Sequence, residues 1–167
     1  MIKPLADKIQ YILSAKVHLL PIIPLPANAW YAPRHRYWAD TILAYLRTQN
    51  IGDNKYTLAV TEADISTKKG VQSNWGVMGL GFQPGNYCVV STYRLYQYPQ
   101  TQQQLLEKLV KVCLHELGHN FGLAHCPDSA CLMADAKGKD NLALEKDFCD
   151  KCRKTLADKG LQPLQLQ

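Results

Sequence analysis

The chain has 167 residues, 47% of them apolar and 20% charged, with a formal net charge of +5. That length suits one domain able to bury a hydrophobic core without staples, and the composition excludes disordered and collagen-like chains. The lysines are scattered, so the positive balance suggests weak attraction to acidic peptides or anionic surfaces and supplies no basic block that would argue for nucleic acid.

The N-terminal stretch MIKPLADKIQYILSAKVHLLPIIPLP is apolar, but Asp7, Lys8 and Lys16 interrupt it and Pro21, Pro24 and Pro26 break the rest. No small-residue cleavage pattern follows, so it is not read as a signal peptide. No run approaches the roughly 18 apolar residues of a membrane span, and a cytoplasmic setting is expected. Thiols stay reduced there, so the six cysteines are better explained by metal binding and burial than by disulfides.

Residues 4 to 14 carry helical periodicity, and Val17 to Ile23 reads as a short strand. Arg36 to Gln49, with Tyr37, Ile42, Leu43 and Leu46 apolar, reads as an amphipathic helix ended by Asn50 and Gly52. Tyr56 to Thr61 is a strand, and Trp75 to Phe82 and Tyr87 to Tyr93 are β-rich runs joined by the turn residues Gln83-Pro84-Gly85-Asn86. Thr101 and Gln104 have the spacing of a capping box that opens a helix running to about Asn120. Its core stripe is Leu106, Leu109, Val110, Cys113 and Leu117. Asn141 to Leu156 reads as a closing helix bearing Cys149 and Cys152.

His115 and His119 are four apart on the long helix and share one face, which lies roughly 200° around from the stripe at Cys113. His125 lies six residues further, about 240° away in an unbroken helix, so it can join them only if the helix stops in between. Gly122 supplies the residue that tolerates such a reversal. Three neutral imidazoles suit zinc and leave a fourth position open to water, the mark of a catalytic site. Zinc lowers the pKa of bound water from about 15.7 toward about 7, and Glu116, not needed as a ligand, is placed to take the proton and pass it to a leaving amine. The competing readings are ordinary histidines on an amphipathic helix or a purely structural metal. The extended spacing HExxHxxGxxH is far more specific than HExxH alone.

Cys126 and Cys131 are followed by Cys149 and Cys152, a two-pair spacing that suits a four-thiolate zinc site. Because Cys126 directly follows His125, two separate ions are the natural reading. Disulfides, or a thioredoxin-like role for Cys149-Asp150-Lys151-Cys152, are the alternatives. Cys88 and Cys113 fall in apolar patterns and read as buried small hydrophobes. Met133 reads as a floor beneath the first metal.

With these residues in place, the stretch from His115 to Cys152 closely resembles the archaemetzincins, a branch of the metzincin zinc peptidases. Their signature types occur here as His115, Glu116, His119, Gly122, His125, Cys126, Cys131, Met133, Cys149 and Cys152. The fifteen-residue spacer between Met133 and Cys149 is two shorter than the family pattern. The segments "YAPRHRYWAD", "TLAVTEADIS" and "STYRL" are similar to family segments in the same order, so the likeness spans most of the chain.

The resemblance implies an α+β metzincin fold: a twisted, mostly parallel sheet with helices, and a small irregular C-terminal part. One domain, 1–167, would divide into an upper part of about 1–121 and a lower part of about 122–167. It also implies that His115, His119 and His125 bind a catalytic zinc, that Glu116 is the general base, and that Met133 is the Met-turn residue. Cys126, Cys131, Cys149 and Cys152 would bind a second, structural zinc. Trp75 to Phe82 would form the cleft edge, where an extended substrate could add as a further strand.

The function expected is therefore a zinc metallopeptidase acting on peptides or proteins, as a monomer, with no membrane or nucleic-acid partner. Two alternatives stand: a metal-stabilised binding module without turnover, and a nucleic-acid binder using Lys146, Lys151, Arg153, Lys154 and Lys159. That last set reads better as a solvated face, since it lacks interleaved aromatics.

Overall fold

A computed structural model describes residues 1–49, 55–97, 100–136 and 142–166. Helix α1 (Ile2–Leu13) buries Leu5, Ile9, Ile12 and Leu13, the spacing that puts one apolar face on the core. The strand expected from Val17 to Ile23 does not form. Pro21 and Pro24 withhold backbone donors, and among the described residues no strand pairs with the segment, leaving Leu19 and Ile22 59% and 101% exposed.

Arg36–Trp38, expected as the first turn of a helix, instead form strand β2, which pairs antiparallel with β1 (Trp30–Tyr31) and parallel with β4 (Ile65–Lys69). The cross-strand pair Trp30 and Tyr37, with ring centroids 4.9 Å apart, is the kind of contact that overrides a local helical pattern. Helix α2 then runs from Ala39 to Thr48 and buries Ala39, Ile42, Leu43 and Leu46. The stop signals Asn50 and Gly52 lie outside the described residues.

The described strands form two sheets. One has the order β1-β2-β4-β5, with β5 spanning Gln72–Val77; the other is β3-β7-β6, with β3 Thr57–Thr61, β6 Gly79–Gly81 and β7 Tyr87–Ser91. The class is mixed α and β, as expected, but only β2 with β4 and β3 with β7 are parallel, and the other three ladders are antiparallel. The parallel share is smaller than the resemblance implies because the links β4 to β5 and β6 to β7 are too short for a crossover. The run Trp75 to Phe82 is likewise divided between β5 and β6, outer strands of different sheets. Asp64 ties the sheets together, its carboxylate 2.6 Å from Arg36 Nε and 2.9 Å from Arg94 Nε.

Strand β7 lies between two apolar layers. Val89 faces the α2 cluster, while Cys88 and Val90 face α1 and α3 (Gln102–Asn120), the alternation of a strand buried on both sides. The capping box of α3 is closed: Gln104 N–H donates to Thr101 Oγ1 at 3.2 Å and Thr101 N–H to Gln104 Oε1 at 2.9 Å.

The closing helix α4 is Asp150–Ala157, shorter than the expected Asn141–Leu156, with Cys149 as its N-cap; Asn141 lies outside the described residues. Residues 142–149 are irregular because their backbone bonds go sideways. Lys146 N–H donates to Ala130 O, and Asp147 O accepts from Leu132 N–H. Among the described residues no helix is long and apolar enough to cross a membrane.

Candidate metal centre

Helix α3 ends where the histidine spacing requires. Gly122 takes φ +90°, its N–H donates to His119 O, and Leu123 N–H donates to Gly118 O, the paired bonds of a Schellman cap. The chain reverses there and brings His125 back to His115 and His119, with ring centroids 4.8 to 5.4 Å apart. Candidate ligand atoms of the three lie within 4.8 Å of one another. His115 Nε2 and His119 Nε2 are 3.1 Å apart, close to the roughly 3.3 Å edge of a tetrahedron with zinc–nitrogen bonds of about 2.0 Å.

The other nitrogen of two rings is committed. His115 Nδ1 lies 2.6 Å from Leu132 O and His119 Nδ1 lies 2.8 Å from Leu123 O. A carbonyl only accepts, so each Nδ1 carries the proton and each Nε2 presents a lone pair to the shared space. Burial pushes His115 down to about 4, with the His119 imidazole adding to the effect, and burial lowers His119 too. Both rings are thus held in the neutral form that binds metals. These two carbonyls were not legible in the sequence, because backbone groups leave no residue-type signal.

Glu116 is buried on the same helix against β6. A Cβ built on Gly79 would lie 2.6 Å from Glu116 Cγ and Oε1, and one on Gly81 would lie 2.6 Å from the Glu116 carbonyl oxygen. Only glycine lets the strand approach so closely, and Gly-Leu-Gly inside a β run was a signal that could have been read this way. Burial pushes the Glu116 carboxyl up to about 8, opposed by the Gly81 backbone N–H. Asn120 fastens the far end of this contact, its Nδ2 donating to Phe82 O at 2.9 Å and Tyr87 O at 3.0 Å. Met133 is fully buried under the helix, where a Cβ on Gly118 would lie 2.4 Å from its sulfur.

The four cysteines of the second motif also converge. Cys126, Cys131, Cys149 and Cys152 have sulfurs within 4.8 Å of one another, and the pairs Cys126–Cys149 and Cys131–Cys152 are 3.7 Å apart. Zinc–sulfur bonds of about 2.3 Å give a tetrahedral edge of roughly 3.8 Å, whereas a disulfide would need about 2.05 Å. Cys88 and Cys113 are free and buried in the core, as expected, and belong to neither cluster.

A mixed sheet packed on a long helix, with three histidines gathered across that helix's end and a buried glutamate beside them, defines a metallopeptidase of the metzincin kind. Comparison with known proteins agrees. Residues 3–158 match the family model for peptidase family M54. The archaemetzincin of Methanopyrus kandleri is 35% identical over 137 residues, covering 79% of this chain and 72% of that protein. Its crystal structure superposes with a TM-score of 0.71 at 33% identity over 80% of this chain and 71% of that one. The Archaeoglobus fulgidus archaemetzincin, solved in complex with malonate, has a TM-score of 0.76 at 29% identity, covering 92% of this chain and 90% of that one. The chain belongs to peptidase family M54, the archaemetzincins, and is a zinc metallopeptidase.

Proposed function

We propose that the protein hydrolyses peptide bonds in peptide or protein substrates, with His115, His119 and His125 holding a catalytic zinc and Glu116 as general base. The observation that carries this reading is the pair of carbonyls, Leu132 O and Leu123 O, that turn two Nε2 lone pairs toward one point beside His125. Zinc bound there supplies a Lewis acid that acidifies water and polarises the scissile carbonyl. Glu116 makes no contribution to coordination in this scheme; a dication held by the histidines would offset the burial that raises its carboxyl, and the ionised carboxylate takes the proton from the attacking water and returns it to the departing amine. The close strand β6 excludes solvent from the Glu116 side, and its outer edge offers backbone groups to an extended peptide.

Cys126, Cys131, Cys149 and Cys152 hold a second, structural zinc, a role supported by the 3.7 Å separations of two sulfur pairs, near a tetrahedral edge, and by all four being free thiols. On this reading residues 1–121 form the upper part, carrying the helix and sheets, and 122–167 the lower part, carrying His125 and the thiols. No nucleic-acid partner belongs to this reading, since Lys146, Lys151, Arg153, Lys154 and Lys159 lack interleaved aromatics.

The test is a peptide-library digest read by mass spectrometry, with zinc-loaded protein beside Glu116→Ala. We expect cleavage by the wild type, loss of about 10²–10⁴-fold in the variant, and metal content unchanged. Loss of metal along with activity would make Glu116 a ligand. A wild type that retains both metals and cleaves nothing would make the protein a binding module.

A further inference from the structure

Lys111 lies four residues before His115 on α3 and therefore on the same face, one turn toward the N-terminus. Its ammonium reaches across to the segment after residue 141 and donates to Leu142 O at 2.7 Å and Glu145 O at 2.6 Å. Nothing in hydrolysis uses this lysine. The segment it grips leads directly into Asp147, whose carbonyl accepts from Leu132 N–H at 2.9 Å. The carbonyl of that same residue, Leu132, then accepts from His115 Nδ1 at 2.6 Å. Cys131, one residue earlier, belongs to the thiol cluster, and its sulfur accepts from Cys149 N–H at 3.3 Å. A closed loop of contacts results, running from α3 at Lys111 through residues 142–147 to Leu132 and back to α3 at His115.

We propose that Lys111 is a positioning residue that clamps residues 142–147 to α3, so that the Leu132 carbonyl is held on His115 and the histidine site gains metal affinity from the ordered cysteine module. This rests on the reading of the two clusters as metal sites. A hydrogen-bond acceptor behind a ligating imidazole fixes the ring and raises its basicity, and disturbing such a partner weakens metal binding by about 10–100-fold. Lys111 acts on that acceptor at one remove, so the lower end of the range is expected. Sites joined through a shared element are coupled reciprocally, so a metal on the thiols should also favour a metal on the histidines.

Cobalt(II) separates the two sites, because a thiolate cluster gives intense sulfur-to-metal charge-transfer bands that an all-imidazole site lacks. Metal-free wild type, Lys111→Met and Lys111→Arg are titrated with cobalt and followed by absorption, with circular dichroism to check the fold. We expect all three to develop the charge-transfer bands, and the weaker imidazole-site bands of Lys111→Met to need about ten-fold more cobalt, with Lys111→Arg, which keeps donors, restoring the wild-type curve. Equal histidine-site affinity in wild type and Lys111→Met would overturn the proposal, as would an Arg variant as weak as Met. Absence of charge-transfer bands in the wild type would instead refute the cysteine site itself. If Lys111→Met does not fold, Lys111→Gln, with a shorter neutral donor, carries the same comparison and is expected to bind cobalt more weakly than Lys111→Arg.

Discussion

The two halves of the metal-bearing region are built on opposite principles. Helix α3 buries twelve of its nineteen residues, whereas α4 buries only Cys152 and Leu156 of its eight. Between α3 and α4 the chain has isolated bridges, Cys126 with Ala134 and Cys131 with Asp147, and no regular strand among the described residues. Leu132, Met133, Leu142 and Phe148 bury into the core shared with α3, and polar links add to them: Arg153 Nη2 to Asp147 Oδ2 at 2.5 Å, Arg153 Nε to Phe148 O at 3.2 Å, and the four sulfurs. A long helix whose backbone is bonded within itself stands without a metal, whereas a segment with little regular structure depends on scattered core contacts and on cross-links to fix its backbone.

The sharpest way to break this comparison is Cys149→Ser. Structural zinc can contribute on the order of 10 kcal/mol to small folds, so the variant should lose one zinc and melt far below the wild type. An unchanged melting temperature and zinc count in calorimetry and metal analysis would show that the cysteines are not a metal site, and thiol counting under denaturing conditions would then test for a disulfide.

On the other side of the comparison, Leu109→Ala removes a fully buried side chain from the stripe of α3 and should cost about 2–5 kcal/mol. For a chain of this size that lowers the melting temperature by roughly 4–20 °C while both metals remain. Gly118→Ala comes next, since the new methyl would meet the Met133 sulfur at 2.4 Å. An overpacking cost of about 1–3 kcal/mol is expected, relieved by pairing it with Met133→Ala; a double variant no better than the single would place the strain elsewhere.

Thr101→Ala removes one arm of the capping box and should cost about 1 kcal/mol in urea unfolding, with activity intact. The smallest effect on stability is expected for His119→Ala, which should abolish hydrolysis and one zinc yet shift the melting temperature less than Leu109→Ala. If His119→Ala unfolds the protein while Cys149→Ser does not, the assignment of chemistry to one site and support to the other is reversed.

Much of this was legible because it is local. The helix start at Thr101, the stop at Gly122 and the face shared by His115 and His119 each depend on residues within one or two turns, where spacing alone determines direction. Strand β4 was missed because Ile-Ser-Thr-Lys-Lys carries little apolar pattern and is held instead by β2 and β5. The residue types of 142–149 permit a helix, and the bonds to residues 130–132 and to Lys111 that prevent one leave no local signal.

By itself the sequence determined the ligand types, the order in which they occur, and the break in the helix that lets three histidines meet. Periodicity and glycine conformation act over a few residues and need no partner. The tertiary structure alone decided which backbone carbonyls orient His115 and His119, how closely Gly79 and Gly81 approach Glu116, and that the thiol cluster reaches the histidine helix through Leu132. Those contacts join segments far apart in the chain, and backbone oxygens and the room left by a missing side chain acquire meaning only once the fold has placed something against them.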